Sequence, residues 1–422
     1  GQINLMEESN SGGIQNFVIK KNINKIGIFR GKQPLLSHLD IELTERCNNA
    51  CIHCYINLPE KDSRAKAKEL TTNAWKDILS QAADLGALSV RLTGGEPLLR
   101  DDFTEIYLYA RRLGMKVFLF TNGRLITPEI ADLFVKIPPM KPIEISVYGM
   151  HAKSYDAVAR EPGAFDQFRR GMDLLIKNQI PFVVKFVVLP PNRHEVAAFD
   201  AWAASLPGMK EPPHLYSFDL RTRRDSVAKN RLIRKCRFST SEVVAFLAQH
   251  EVAYRQSTAQ FAEKFLYPQG DLLFDCGAGV SGCVDSYGKY QMCMLLRHPD
   301  TVVDLKKETI ETALTKVFPR LRKMQAKNPN YLKRCARCFI KGICEQCPAK
   351  SWSEYGTLDT PVEYLCQVAH AQARFLDLLD QDEYSWEVED WKGRIEQFVR
   401  KTESLESSVD GGFQVPSCKD QA

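Results

Sequence analysis

Three closely spaced cysteines are the first residues whose types and spacing could support chemistry. Cys47, Cys51 and Cys54 follow the pattern C-x3-C-x2-C. Three thiolates on one short loop can ligate three irons of a [4Fe-4S] cubane and leave the fourth iron open for a cofactor. A zinc site is the alternative, but it needs a fourth ligand, and His53 is the only nearby candidate and is poorly spaced.

A second motif, Gly94-Gly95-Glu96-Pro97, follows the next strand-like run. Its two glycines allow close backbone approach, and the carboxylate of Glu96 accepts hydrogen bonds, so it can receive an ammonium group. Asn122 lies in a Thr-Asn-Gly segment after the third strand-like run, and Ser146 ends the fourth. These positions suggest one polar site with contributions from several strands.

The elements that must position these residues alternate between strand-like and helical patterns. The predicted strands are Leu36–Leu43, Leu88–Leu92, Lys116–Phe120, Ile143–Val147, Phe182–Val188 and Leu215–Leu220. The predicted helices between them are Thr72–Leu85, Phe103–Leu113, Pro128–Val135, Ala164–Lys177 and Ala197–Ser205. Six such units predict a parallel α/β sheet, either open and doubly wound or an incomplete barrel, with ligands at the carboxyl ends of the strands. Further helices are predicted at Ser241–His250, Gln372–Leu379 and around Trp391–Lys401.

A second cysteine-rich region follows, with Cys276, Cys283, Cys293, Cys335, Cys338, Cys344, Cys347 and Cys366. The chain has 13 cysteines and no export signal, so metal ligation in a reducing cytoplasm explains them better than disulfides do. A zinc ribbon made by Cys335, Cys338, Cys344 and Cys347 is the alternative, although it would leave the other four without a role. Cys236 and Cys418 match no motif.

Composition excludes several other classes of protein. The formal net charge is only +5, from 57 basic and 52 acidic residues, which gives no reason to expect a nucleic acid or a membrane surface as partner. No apolar run reaches the roughly 18 residues of a transmembrane helix. We therefore expect a cytoplasmic protein.

Together, the first cysteine motif and Gly94–Pro97 resemble the radical S-adenosylmethionine (SAM) superfamily. The resemblance implies a partial (β/α)6 TIM-like barrel whose cluster, held by Cys47, Cys51 and Cys54, cleaves SAM to a 5′-deoxyadenosyl radical. It also implies that Glu96 binds the methionyl amino group and that His53 lies against the adenine. Further SAM-binding positions are expected at Tyr55, Gly94, Gly95, Asn122, Ser146, Arg160 and Lys185. The family often has Ser-Leu-Asp-Gly where this chain has Ser146-Val-Tyr-Gly149.

The second region resembles the SPASM extension of that superfamily, a cysteine-rich domain that binds auxiliary iron–sulfur clusters. This implies Cys276, Cys293 and Cys347 as ligands of one auxiliary [4Fe-4S] cluster, with Cys283 as its fourth ligand or, failing that, an open iron. Cys335, Cys338, Cys344 and Cys366 would hold a second auxiliary cluster. The expected segments are an N-terminal segment 1–35, the barrel 36–240, a bridging region 241–275, the SPASM domain 276–370 and a helical tail 371–422.

The resemblance implies a maturase that installs a crosslink, epimerisation or oxidation in a ribosomally synthesised peptide. A separate leader-peptide-binding protein and a reductase, flavodoxin or ferredoxin as electron donor are the expected partners. Modification of a cofactor or haem-type small molecule is an alternative, as is sulfatase maturation, although that subfamily typically has Asp where this chain has Met294. A non-catalytic iron–sulfur electron carrier is the alternative from a different class.

Overall fold

One mixed sheet organises the molecule. The computed structural model describes residues 35–209, 214–215, 218, 220–222 and 226–403. The strands are β1 (His38–Glu42), β2 (Arg46–Cys47), β3 (Leu58–Pro59), β4 (Ser89–Thr93), β5 (Lys116–Thr121), β6 (Ile143–Val147), β7 (Phe182–Val187), β8 (His214–Leu215), β9 (Cys283–Val284), β10 (Lys289–Gln291) and β11 (Val303–Asp304). Nine of them form the sheet, in the order β11-β10-β9-β1-β4-β5-β6-β7-β8, and β2 pairs with β3.

The six strands from β1 to β8 in this sheet are parallel, as the repeating β/α pattern predicted. Their residues alternate between two environments. Leu39 and Ile41 of β1 are fully buried in the apolar core. Asp40, between them, instead forms a 3.0 Å ion pair with Arg91, its register partner on β4. One face of the sheet is therefore apolar and the other carries charged side chains.

Helices connect the parallel strands. They are α1 (Ser63–Lys68), α2 (Thr72–Asp84), α3 (Phe103–Arg112), α4 (Pro128–Lys136), α5 (Ala152–Ala159), α6 (Ala164–Lys177) and α7 (Val196–Ala204). Side chains cap some of their amino ends: Thr71 accepts a hydrogen bond from the Ala74 amide, and Thr127 accepts one from Ile130 ahead of a proline at the first helical position. Five of these helices match the predicted ones within about two residues. The short helices α1 and α5 were not predicted.

The second half is mainly helical. Its helices are α8 (Val227–Lys235), α9 (Thr240–Ala248), α10 (Glu251–Phe265), α11 (Ile310–Thr312), α12 (Phe318–Leu321), α13 (Pro329–Lys333), α14 (Pro348–Tyr355), α15 (Glu363–Phe375) and α16 (Trp391–Glu403). The prediction of a helix at Gln372–Leu379 was wrong in its bounds, because α15 begins nine residues earlier and carries Cys366. The predicted sixth strand, Leu215–Leu220, is seen only as β8, and most of the remainder lies outside the described residues.

The two halves share the sheet. Strand β9 pairs in parallel with β1, and Cys283 lies opposite Asp40. Strands β10 and β11 continue outward as antiparallel neighbours. The cysteine-rich half is therefore hydrogen-bonded directly to the first strand of the other half. Within the described residues, no helix has both the length and the apolar character needed to cross a bilayer.

Candidate functional site

The first cysteine motif forms a loop just beyond the carboxyl end of β1. Cys47 and Cys51 are buried and Cys54 is half-buried. Burial and the neighbouring Cys54 sulfur together raise the pKa of the Cys51 thiol to about 12, against the opposing effect of a hydrogen bond from Tyr148. The pKa of Cys47 is raised well above its usual value by burial and then by Cys51. The structure thus brings the three sulfurs into electrostatic contact.

Backbone hydrogen bonds hold this loop against the end of α5. The Ala50 amide donates to the Ala159 carbonyl at 2.8 Å, and the Ile52 amide donates to the Val158 carbonyl at 3.0 Å. These carbonyls belong to the last turn of a helix, where they have no partner within the helix. The two loop amides provide the hydrogen bonds that these carbonyls lack, and the same bonds hold the loop in place.

The glycines of the second motif allow it to pack against the start of the cysteine loop. The Gly95 amide donates to the Thr44 carbonyl at 2.6 Å, and the Glu96 amide donates to the Arg46 carbonyl at 2.9 Å. A Cβ atom at Gly95 would lie 2.1 Å from the Arg46 carbonyl oxygen, so no other residue fits there without moving the loop. Gly94 has a φ of 131°, in the region that favours glycine.

Glu96 connects the second motif with the third. Its fully buried carboxylate accepts hydrogen bonds from the Thr121 hydroxyl at 2.8 Å, the Asn122 amide at 2.9 Å and the Leu98 amide at 3.1 Å. Burial raises the pKa of Glu96 to about 7, and these donors oppose the shift. A carboxylate has about four acceptor positions, so one remains for an external donor such as an ammonium group.

Asn122 and Arg124 complete the connection to the cysteine loop. The Asn122 side chain donates to Asn48 Oδ1 at 2.8 Å and approaches the Cys47 sulfur at 3.8 Å. Arg124 donates to the Asn48 carbonyl and to the Asn49 side chain, and it is held by Gln167 at 2.7 and 3.0 Å. The sequence did not indicate Arg124, because its partner Gln167 lies 43 residues away.

The other predicted SAM-binding residues occupy varied environments. His53 packs near Tyr148, and its Nδ1 is buried without a hydrogen-bond partner. Burial lowers the pKa of His53 to about 4, so the ring is neutral. Ser146 and Lys185 are register partners on β6 and β7. Arg160 is exposed, at the carboxyl end of α5 with a φ of 52°.

Arg297 and Tyr287 join the second half to the motif around Cys47. Arg297 donates to Glu45 at 2.7 Å and to the almost fully buried Glu42 at 2.5 Å, and its guanidinium lies 5.8 Å from the ring centre of Tyr55. The Tyr287 hydroxyl donates to Glu45 at 2.9 Å. Burial raises the pKa of Glu42 to about 7, and Arg297 opposes that shift. Glu45 and Tyr55 flank the three cysteines, so the Arg297 side chain contacts residues at both ends of the motif.

The other cysteines separate into two groups. We call Cys276, Cys293 and Cys347 the first auxiliary group. Burial, together with the nearby sulfurs of Cys347 and Cys276, raises the pKa of Cys293 to about 12. We call Cys335, Cys338, Cys344 and Cys366 the second auxiliary group. Its members line one pocket of about 400 Å³, including its open mouth. Burial and then the sulfurs of Cys338 and Cys366 raise the thiol pKa of both Cys335 and Cys344.

No described contact joins Cys283 to the first auxiliary group. Cys283 is fully buried in β9, and burial raises its pKa well above the usual value. The neighbouring groups with the largest further effects are Glu42, Asp40, Arg297 and Asp285, and none of these is a cysteine. Its pairing with Asp40 in the sheet fixes this position. The described contacts thus do not bring Cys283 to Cys276, Cys293 and Cys347, and its role as a fourth ligand stays a prediction.

Hydrogen-bond donors surround the second auxiliary group, and the sequence had not indicated them. Arg334 donates to the Cys366 sulfur at 3.2 Å, and the Ser385 hydroxyl lies 2.9 Å from the Cys338 sulfur. His370 lies 3.2 Å from the same hydroxyl. Ser385 is 47 residues from Cys338, in a segment without regular structure, and no sequence pattern marks it.

The donor set suits iron–sulfur clusters. All 12 cysteines in the described part of the chain are free. Within that part, no three His, Cys, Asp or Glu side chains are arranged to hold a single metal ion. A zinc ion needs all its ligands within about 2.3 Å of one centre, whereas a cubane distributes its thiolates over four irons. Four sulfurs around one pocket, with donors directed at two of them, fit a cubane.

Comparison of the sequence with known families supports the resemblance seen in the motifs. Residues 41–203, less than half of the chain, match the profile of the Radical SAM superfamily. The AdoMet-dependent heme synthase of Methanosarcina barkeri is 36% identical over 155 residues, which are 37% of this chain and 43% of that protein. The mycofactocin maturase MftC of Mycolicibacterium smegmatis is 34% identical over 163 residues, 39% of this chain and 40% of that protein. The resemblance is thus confirmed at the level of the superfamily for this segment, while the chain spans less than half the length of these relatives.

Solved structures extend the similarity in fold to the cysteine-rich half. The structure described as native anSMEcpe with bound AdoMet superimposes with a TM-score of 0.54 over 87% of this chain and 99% of that chain, at 13% identity. SuiB of Streptococcus suis bound to S-adenosylmethionine gives a TM-score of 0.51 over 79% of this chain and 76% of that chain, at 16% identity. At these identities the similarity concerns the fold alone.

Proposed function

We propose that this chain is a radical SAM enzyme that modifies a ribosomally synthesised peptide. The observation that carries the proposal is the set of bonds that ties Gly95, Glu96 and Asn122 to the Cys47 loop. An electron carrier has no need for a buried carboxylate with a remaining acceptor position beside its cysteines. A SAM-binding site does need one, because SAM carries an ammonium group.

When bound, the cluster of Cys47, Cys51 and Cys54 supplies the electron that cleaves SAM to methionine and a 5′-deoxyadenosyl radical. The protein residues have the remaining tasks. Glu96 would receive the ammonium group, and the two glycines before it let the motif pack against the start of the cysteine loop. His53, which is neutral and whose buried Nδ1 has no hydrogen-bond partner, would lie against the adenine.

Further polar side chains would orient SAM and its carboxylate. In this proposal Ser146, Lys185, Tyr55 and Arg160 have that task. Lys185 has the best support, since it is the register partner of Ser146 on the neighbouring strand. It also lies close enough to Glu144 to oppose the rise in pKa that burial causes in that carboxyl. Arg160 has the weakest support, since its side chain is exposed.

We further propose that the cysteine-rich half is a SPASM domain with two auxiliary clusters. The first auxiliary group would hold one cluster with three protein ligands and an open iron, unless Cys283, which has no described contact with the group, supplies the fourth. The second auxiliary group would hold the other with four ligands. Such clusters bind substrate or exchange electrons with it, which suits a peptide oxidation, epimerisation or crosslink. An external reductase, flavodoxin or ferredoxin and a leader-binding protein are the partners we expect.

A peptide is the substrate we favour, because relatives of residues 41–203 include the mycofactocin maturase and a protein named PqqA peptide cyclase, 33% identical over 165 residues. Modification of an iron porphyrin is the second candidate, since the heme synthase of Methanosarcina barkeri is 36% identical over a similar segment.

The SAM reaction is tested with the anaerobically reconstituted chain, SAM and dithionite. We expect methionine and 5′-deoxyadenosine, and the joint Cys47→Ala, Cys51→Ala, Cys54→Ala variant should form neither while it retains its auxiliary iron. Absence of both products from the unmodified chain would rule out the enzyme. The substrate is tested by mass spectrometry after incubation with short peptides encoded beside the gene or with iron coproporphyrin. A mass change in the porphyrin alone would favour the second candidate.

A further inference from the structure

The second auxiliary group has a cation fixed against one of its sulfurs. Arg334 donates to the Cys366 sulfur at 3.2 Å, while its guanidinium also forms a forked ion pair with Glu363 at 2.6 and 3.0 Å. The guanidinium packs 4.8 Å from the ring centre of Trp386. Contacts on several sides hold one N–H toward the sulfur, so the orientation of this bond does not depend on a mobile side chain.

A neutral donor contacts a second sulfur of the same group. The Ser385 hydroxyl lies 2.9 Å from the Cys338 sulfur, and Ser385 is 1% exposed. When Cys338 ligates iron as a thiolate it has no proton, so the hydroxyl must donate to the sulfur.

His370 holds Ser385 in that orientation. Its Nδ1 lies 2.8 Å from the Cys366 carbonyl, which can only accept, so Nδ1 carries the proton. Nε2 is then an acceptor and receives the Ser385 backbone amide at 3.3 Å. The same Nε2 also lies 3.2 Å from the Ser385 hydroxyl, so two acceptors face the one hydroxyl proton. The shorter 2.9 Å contact and the negative charge of an iron-bound thiolate favour donation to the Cys338 sulfur.

Hydrogen-bond donors at the cysteine sulfurs shift the reduction potential of a cluster in one direction, upward. Reduction adds a negative charge that spreads over the sulfurs, so a hydrogen bond or a cation at a sulfur stabilises the reduced form more than the oxidised form. The contacts made by Arg334 and Ser385 therefore raise the reduction potential of a cluster bound here.

We propose that Arg334 and Ser385, the latter oriented by His370, set the reduction potential of the cluster held by the second auxiliary group and keep it poised to accept an electron. This inference rests on the proposed function, because it requires a cluster on Cys335, Cys338, Cys344 and Cys366. All three are positioning residues, since they act on the cluster through cysteine sulfurs.

The test is a redox titration of the reconstituted full-length chain, followed by electron paramagnetic resonance, with the signal of this cluster identified by its loss in Cys335→Ala. Arg334→Gln and Ser385→Ala should each lower its midpoint potential. Ser385→Thr, which keeps the hydroxyl, should restore the original value. Glu363→Gln, which leaves the donor to Cys366 in place, should change the potential less than Arg334→Gln does.

Arg337→Gln is the matched control for loss of one positive charge. Arg337 is exposed and lies between Cys335 and Cys338 in the sequence, and the described contacts include none between its side chain and a cysteine sulfur. Equal midpoint potentials in Arg334→Gln, Ser385→Ala and Arg337→Gln would overturn the inference. If Arg334→Gln loses the cluster, the midpoint potentials of Ser385→Ala and Ser385→Thr test the inference instead, and equal values in these two variants would overturn it. An unmodified chain with no signal that depends on Cys335 would instead contradict the proposed auxiliary cluster.

Discussion

The carboxylate of Glu96 accepts a 2.8 Å hydrogen bond from the hydroxyl of Thr121, and this bond joins the carboxyl ends of β4 and β5. Two backbone amides contact the same carboxylate, so Glu96 lies where three donors converge. The second and third sequence motifs are thus parts of one hydrogen-bonded unit beside the cysteine loop.

Glu96→Gln should impair both stability and SAM cleavage. The glutamine NH2 group would face N–H and O–H donors, and each buried donor left unsatisfied costs about 1–3 kcal/mol. We expect a lower melting temperature and at least about a tenfold slower formation of 5′-deoxyadenosine, which corresponds to about 1.4 kcal/mol. Thr121→Val removes one donor only and should have the smaller effect. Unchanged SAM cleavage by Glu96→Gln would contradict the assigned role.

Gly95→Ala should abolish loading of the SAM cluster. Its Cβ would lie 2.1 Å from the Arg46 carbonyl, so the chain must move immediately before Cys47. Gly208→Ala is the control: no atom lies within 4 Å of its new Cβ, and its φ of 84° costs about 1 kcal/mol of strain. Iron content and the yield of 5′-deoxyadenosine should fall in Gly95→Ala alone. Full iron loading of Gly95→Ala would show that the close contact is not required.

Cys344 and Cys347 are three positions apart in the sequence but belong to different auxiliary groups. Cys293→Ala with Cys347→Ala should therefore lose no more iron than either change alone, because both affect one cluster. Cys344→Ala with Cys347→Ala should lose about twice as much, because the losses from separate clusters add. Iron and sulfide analysis checks this, and the reverse pattern would exclude the assignment.

Arg297→Gln should destabilise the chain strongly, since it leaves the buried carboxylates of Glu42 and Glu45 without their cation. Loss of one partner of a buried ion pair costs about 3–5 kcal/mol when the other partner stays charged. The cost is smaller at neutral pH and below, because Glu42, whose pKa is already raised to about 7, then takes up a proton. Glu42→Gln combined with Arg297→Gln should recover part of that loss, because it removes one of the stranded charges. Urea unfolding of the single and double variants measures the coupling, and strictly additive effects would mean that the contact contributes nothing.

Local patterns in the sequence predicted much of this arrangement. Alternating apolar residues such as Leu39 and Ile41 predicted the parallel strands, and the spacing of Cys47, Cys51 and Cys54 predicted their loop. The missed start of α15 also had a signal, since Leu365, Val368 and Gln372 are buried at helical spacing. No sequence pattern indicated the contacts made by Arg124, Arg297, Arg334 and Ser385. Each joins segments tens to hundreds of residues apart, and only the tertiary fold determines which segments meet.

The pairing of β9 with β1 has a consequence for the stability of the molecule as a whole. Without β9, the backbone amides and carbonyls along one side of β1 would be unpaired at an exposed sheet edge, which is a template for association with another chain. A shortened protein that ends before Cys283 should therefore aggregate, even though it contains every SAM motif. The second half therefore protects the edge of the first, which depends on that pairing to stay unassociated.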